Sequence, residues 1–172
     1  EDVGHRDDLN YLLDMIGGET SVGHSFVFGG DMPDFDRPTI GMLGADLALE
    51  GGRYRITHIL TGENWNPELR APLSAPGVDV REGDYLLAVN GVELRPTREP
   101  YAWFEGTAGK QVVITVNQQP TLAGAREVTV VPVSSEDALR SRAWVEDNRR
   151  LVDRLSNGRL AYVWLPNTGT GG

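Results

Sequence analysis

The chain has 172 residues, 16 basic against 25 acidic, a net charge of −9 and no cysteine. That balance disfavours nucleic acid and anionic membrane surfaces, which both need a basic face, and the missing thiol excludes disulfides, thiolate catalysis and cysteine-ligated metals. No apolar run approaches the ~18 residues that would cross a bilayer, residue 1 is Glu with no signal-like segment after it, and the length suits one domain with an attachment or two small ones.

Residues 6–16 predict a short amphipathic helix. Leu9, Leu12, Leu13 and Ile16 recur at three and four, Asp7 and Asp8 sit where the helix dipole favours acid, and Gly17-Gly18 ends it. Such a helix is marginal alone and must lay its apolar side on something else. Residues 20–28 predict a strand with Val22, His24, Phe26 and Phe28 on one side. A turn follows at Gly29–Pro33, then a polar linker at Asp34–Pro38.

From Thr39 the composition shifts to strands separated by turns. Thr39–Leu49 predicts one strand, Gly51-Gly52 the turn and Tyr54–Leu60 the return, while Gly62–Leu73, with two prolines and no period, predicts a loop. Pro76-Gly77 and Glu82-Gly83-Asp84 are turns. Tyr85–Val89 is an apolar run of strand length, and Asn90-Gly91, the dipeptide best suited to a two-residue hairpin, leads into Val92-Glu93-Leu94. Thr97 is placed to cap a short helix with Pro100 in its first turn and Tyr101, Trp103 and Phe104 on its contact side. Val112, Ile114 and Val116 alternate as a strand, Gln118–Ala125 is a loop and Glu127–Val133 the last strand of this set.

A second shift comes at Ser134. Ser134 or Ser135 can cap a helix with Glu136 and Asp137 in its first turn, Trp144, Leu151, Val152 and Leu155 on one stripe, and Asn157-Gly158 as its stop. Leu160–Leu165 is almost uniformly apolar and predicts a strand buried on both faces of a parallel or mixed sheet. Gly169–Gly172 lacks the Lys and following helix of a phosphate loop and reads as a frayed end.

The chain holds three histidines. His58 lies on an alternating strand and reads as structural; His5 lies in a polar terminus and carries no signal. His24 stands between Gly23 and Ser25, and on residue type alone a structural role is favoured there too. No Ser sits in a nucleophile elbow such as G-x-S-x-G, and no His/Glu pairing has the H-E-x-x-H spacing. Neither a metal nor any other cofactor is expected.

The ordered set from Pro76-Gly77-Val78 through Gly83-Asp84 to Asn90-Gly91 resembles the core hairpin of PDZ domains, especially those inside bacterial and archaeal proteases. Such a domain adds a peptide as a strand to an exposed sheet edge, with backbone N–H groups of a Gly-containing loop receiving a carboxylate. The resemblance maps that loop and edge onto Thr39, Ile40, Gly41, Met42, Leu43, Gly44 and Ala45, and the facing helix onto Arg98–Phe104. Met42 and Leu43 against Tyr101 or Phe104 would line an apolar pocket; alternatively these residues simply fill the core.

Across Leu12–Leu165 the chain resembles tricorn protease and its bacterial tricorn-like homologues. The distinctive pieces are residues 18–25 (Gly-Glu-Thr-Ser-Val-Gly-His-Ser), the PDZ hairpin, Phe104–Lys110, Trp144–Arg150 and Gly158–Pro166. Members of that family are large serine peptidases with β-propellers, a helical core domain, a PDZ domain and an α/β core domain. The implied fold is α+β: a PDZ-like, partly open β-barrel with short helices, flanked by pieces of the two core domains. Residues 1–33 would end the first core domain, 34–134 form the PDZ domain and 135–172 begin the second.

The family's catalytic His matches His24, which the resemblance raises to a general base. The Ser that precedes it in tricorn falls on Gly23, which removes one partner for the imidazole. The nucleophilic Ser, the oxyanion glycine and the final Glu belong to the second core domain beyond Leu165, so this polypeptide alone is expected to be inactive. The implied partners are peptides or unfolded polypeptide, the remaining domains of the same protease and, in the full-length protein, further copies of itself. Nucleic acid and membrane are not expected as partners, and both a cytoplasmic and an exported location fit. A free-standing peptide-binding adaptor and an assembly module whose groove is filled by its own chain are the alternatives.

Overall fold

Turn chemistry sets the framework. Asn90 and Gly91 both take positive φ, 48° and 78°, the geometry of the tight hairpin turn whose twist matches paired strands. They join strand β3 (Tyr85–Val89), buried along its whole length, to the two-residue β4 (Val92–Glu93). A computed structural model of the chain describes residues 3–33 and 38–169, which form two units dividing between Arg37 and Pro38. The linker expected at Asp34–Pro38 lies, but for Pro38, outside the described residues, as do the last three residues of the glycine-rich tail.

The second unit is built on a six-stranded antiparallel sheet. Its strands are β1 (Ala45–Glu50), β2 (Arg53–Ile59), β3, β4, β5 (Val112–Asn117) and β6 (Arg126–Val130), in the order β1-β2-β3-β5-β6 with β4 on β3. Alternation sends Ile56, Leu86, Ile114, Val116 and Val130 to one core, which Leu43, Leu94 and Phe104 complete. Asp84, at the turn before β3, is buried; its carboxylate accepts the Arg81 N–H at 2.9 Å and pairs with the Arg126 guanidinium. His58 and Glu82 meet at 2.9 Å on the surface, and Glu82 also accepts the Ile59 N–H at 2.8 Å. That backbone donor, with the His58 bond behind it, holds the Glu82 carboxyl below its usual range.

Two predicted elements become smaller. The strand expected from Thr39 begins only at Ala45; before it, Ile40 and Met42 make isolated bridges to Glu105 and Val133. The helix expected after Thr97 is a 3₁₀ turn, Pro100–Phe104, preceded by Glu99 with no side-chain cap. Five residues opened by proline are too few for α-helical bonding to propagate. The second helix, α2 (Asp137–Ser156), starts where Ser135 Oγ accepts the Asp137 N–H at 3.1 Å, and stops at Asn157 in the left-handed conformation. The expected strand at Leu160–Leu165 does not form: these residues have no pairing strand among the described residues. Trp144 of α2 instead meets Tyr162 and Trp164 edge-on.

In the first unit, α1 (Arg6–Glu19) carries a capping box at His5 and Asp8. The strand expected at 20–28 is absent. Ser21 and His24 both have positive φ, which breaks the alternation that would place Val22, His24, Phe26 and Phe28 on one side. An extended run becomes a strand only with a neighbour to bond, a non-local condition.

Candidate functional site

The segment Thr39–Gly44 is pinned on several sides. Gly41 N–H donates to Phe104 O at 2.9 Å, Gly106 N–H to Thr39 O at 2.7 Å, and Met42 and Val133 exchange N–H···O bonds of 2.7 and 3.0 Å. A Cβ on Gly41 would fall 2.2 Å from Thr107 Oγ1 and 2.7 Å from Pro132 Cβ, so a side chain here would displace those two. Gly44, with φ of 72°, turns the chain into β1. Leu43 and Phe104 are wholly buried in the core beneath, Met42 is half-buried and Ile40 exposed.

Beyond this turn a groove of about 710 Å³ runs between β1 and the Pro96–Tyr101 segment. Leu47 and Leu49 line it from the strand side, and Arg140 stands at its end. β1 is the terminal strand of the sheet order, so one of its hydrogen-bonding edges has no strand beside it among the described residues. Tyr54 Oη donates to Arg98 O and ties the facing segment to β2, while the Arg98 guanidinium lies 5.8 Å from the centre of the Trp103 ring. Of the residues expected at a peptide site, Thr39–Ala45, Tyr101 and Phe104 thus come together, and of these Ala45 and Tyr101 line the groove.

The turn at the near end of the groove is bonded by side chains. Gly44 N–H donates to Glu136 Oε1 at 2.7 Å. Glu136 is 3% exposed, and its Oε2 accepts Arg140 Nε at 2.9 Å and Nη2 at 2.6 Å. Arg140 Nη1 donates to Asp46 Oδ1 at 2.9 Å, and Tyr101 Oη donates to Ala45 O at 3.0 Å. Burial, and behind it the negative charge of Glu136, pushes the Tyr101 phenol up to about 12. Sequence reasoning missed Glu136 and Arg140: an acid in a first helical turn with an Arg four residues on looks like ordinary helix chemistry. The Gly44 partner, 92 residues away, leaves no local trace.

His24 belongs to the first unit, where it is exposed, has φ of 62° and meets the Phe26 ring edge-on with centroids 6.2 Å apart. Ser25 Oγ lies 2.9 Å from where a Cβ on Gly17 would stand. Among the described residues no group of three or more His, Cys, Asp or Glu could hold a metal ion, and no helix is long and apolar enough to cross a membrane.

The sheet order, the glycine turn into a terminal strand and the short segment facing it define a PDZ-like domain. Residues 41–135, more than half of the chain, match the family described as the tricorn protease PDZ domain, and the chain belongs to that family. It is 41% identical over 169 residues to tricorn protease homolog 1 of Streptomyces coelicolor, covering 96% of this chain and 15% of that protein. It is 34% identical over 167 residues to a putative tricorn-like protease C-terminal subunit of Sulfurisphaera tokodaii, covering 96% of this chain and 19% of that one. The crystal structure of the tricorn protease superposes on 97% of this chain and 16% of its own with a TM-score of 0.82 at 25% identity. The chain therefore spans under a fifth of the length of these relatives.

Proposed function

We propose that this chain is the PDZ-bearing part of a tricorn-like serine peptidase, with a groove along β1 that takes extended polypeptide and, in His24, the general base. The supporting observation is the terminal strand: β1 borders an open groove with apolar Leu47 and Leu49 on its wall, the form in which a sheet accepts an added strand. Thr39, Ile40, Gly41, Met42 and Gly44 set the turn at its head, and Leu43 and Phe104 hold that turn on the core from beneath. On this reading residues 1–33 end one core domain, 34–134 are the PDZ domain and 135–172 begin a second core domain.

His24 is a non-glycine residue in the left-handed region, exposed rather than packed. Backbone in that region is uncommon for any residue but glycine, and where it persists it often belongs to a site. A neutral imidazole there takes the proton from a seryl hydroxyl and returns it to the leaving amine. The seryl nucleophile then comes from elsewhere in such a peptidase. A bracing role for the PDZ domain is the second reading, favoured by Glu136 and Tyr101 already sitting on the head of the groove. The test is His24→Ala in a full-length tricorn-like peptidase carrying this segment. A fall in kcat of about 10²- to 10⁴-fold is expected, and undiminished peptide hydrolysis removes His24 from the mechanism.

A further inference from the structure

The head of the groove is where a PDZ-type site would receive the carboxylate that ends a peptide, and in this molecule a carboxylate is already there. Resting on the reading of β1 as a strand-adding edge, we infer that Glu136 stands in for a ligand's terminal carboxylate. The groove then accepts an internal, extended stretch of polypeptide and does not favour a free C-terminus.

Three observations carry this. First, the donor is engaged: Gly44 N–H, presented by a positive-φ turn directly before β1, is bonded to Glu136 Oε1 at 2.7 Å. Second, the occupant is complete. Its other oxygen takes two bonds from Arg140, a forked arrangement that neutralises it, and its side chain is 2% exposed. An incoming carboxylate would have to expel a group of its own charge that is tethered to the same chain and so present at high effective concentration. Third, the cation that would compensate a newcomer is spoken for, since Arg140 also bonds Asp46 on β1 at 2.9 Å.

The next acceptor along the edge is covered as well, because Tyr101 Oη bonds Ala45 O. Strand addition is left to the stretch around Leu47 and Leu49, where the groove stays open. A chain laid there does not terminate at Gly44; it passes over the half-exposed Arg140 and leaves. The partner chemistry is therefore an unfolded or flexible segment with apolar residues at alternate positions, which is how a strand presents one face.

The experiment uses the 172-residue chain and an N-terminally fluoresceinated peptide of alternating Val and Ser in three forms. One ends in a free carboxylate, one in an amide, and one carries four further residues that move the carboxylate away and control for the protein's negative charge. Fluorescence anisotropy is read for the unaltered chain, Glu136→Ala and Glu136→Gln, with far-UV circular dichroism checking that each variant folds. The unaltered chain should bind the amide and the extended form alike, and the free acid no tighter. Glu136→Ala should raise affinity for the free acid by about tenfold, equivalent to ~1.4 kcal/mol, and leave the amide unchanged. Glu136→Gln, which keeps the shape and loses the charge, should move the same way by less. An unaltered chain that prefers the free acid tenfold overturns the inference while the groove reading stands, and this comparison holds even if neither variant folds. A folded Glu136→Ala that gains nothing for the free acid overturns it too. Absence of binding by every form to every protein instead removes the groove reading on which the inference rests.

Discussion

The six-stranded sheet and the first unit treat their apolar residues in opposite ways. In the sheet unit Ile56, Leu86, Leu87, Phe104 and Ile114 are fully buried. In residues 3–33, Leu12, Leu13, Ile16, Phe26 and Phe28 are exposed, and the buried residue of α1 is a polar one, Asn10. Asn10 earns its place by hydrogen bonding: its amide donates to Gly29 O at 2.9 Å and accepts from Arg6 Nε at 3.0 Å. The sheet unit is thus held by packing of its own side chains, and the first unit by caps and an amide clasp. An amphipathic stripe alone does not say whether the layer it needs lies within the same stretch of chain.

The sharpest way to break this contrast is to truncate one leucine in each unit. Leu86→Ala in β3 should cost about 4 kcal/mol in urea unfolding, from lost transfer energy and an unfilled cavity. Leu12→Ala on exposed α1 should shift stability by less than about 0.5 kcal/mol. Equal effects would mean that α1 is packed as tightly as the sheet. Arg126→Ala comes next. It leaves the buried Asp84 without its guanidinium, and since Arg126 is itself about a third exposed, a loss of about 2 kcal/mol is expected rather than the full cost of an orphaned buried charge. A change below about 0.5 kcal/mol would show that solvent already screens the pair.

The smallest effect concerns Tyr101. Tyr101→Phe removes the donor to Ala45 O and should cost about 1 kcal/mol. Its phenol is raised from the ordinary 10.0 to about 12, so the folded state holds that proton more firmly than the unfolded chain. The corresponding stability is complete below pH 10 and is lost as pH rises through 12. Thermal melts across this alkaline range should fall less steeply for Tyr101→Phe, and parallel curves would sink the assignment.

Much of the sheet was legible because its signals are local. Asn90-Gly91 fixes a hairpin, Gly83-Asp84 a turn, and alternation at Val112, Ile114 and Val116 gives the strand face that is found buried. Two of the misses share one cause. Residues 20–28 and 160–165 have strand-like composition, but neither has a pairing strand among the described residues, and pairing is not a property of the segment alone. After Thr97 the short helix expected from a capping threonine and Pro100 is a 3₁₀ turn that starts later, at Pro100, without a side-chain cap. Within the candidate site, the glycine turn was readable from its residues, whereas the Glu136–Gly44 bond joins two ordinary-looking stretches by a contact that only the fold creates.

The paired bonds between Met42 and Val133 have a wider consequence. They clip the segment that leads into β1 to the segment that leaves β6. The six strands therefore begin and end at places no farther apart than neighbouring strands, so the stretch from β1 to β6 makes a closed excursion of the chain.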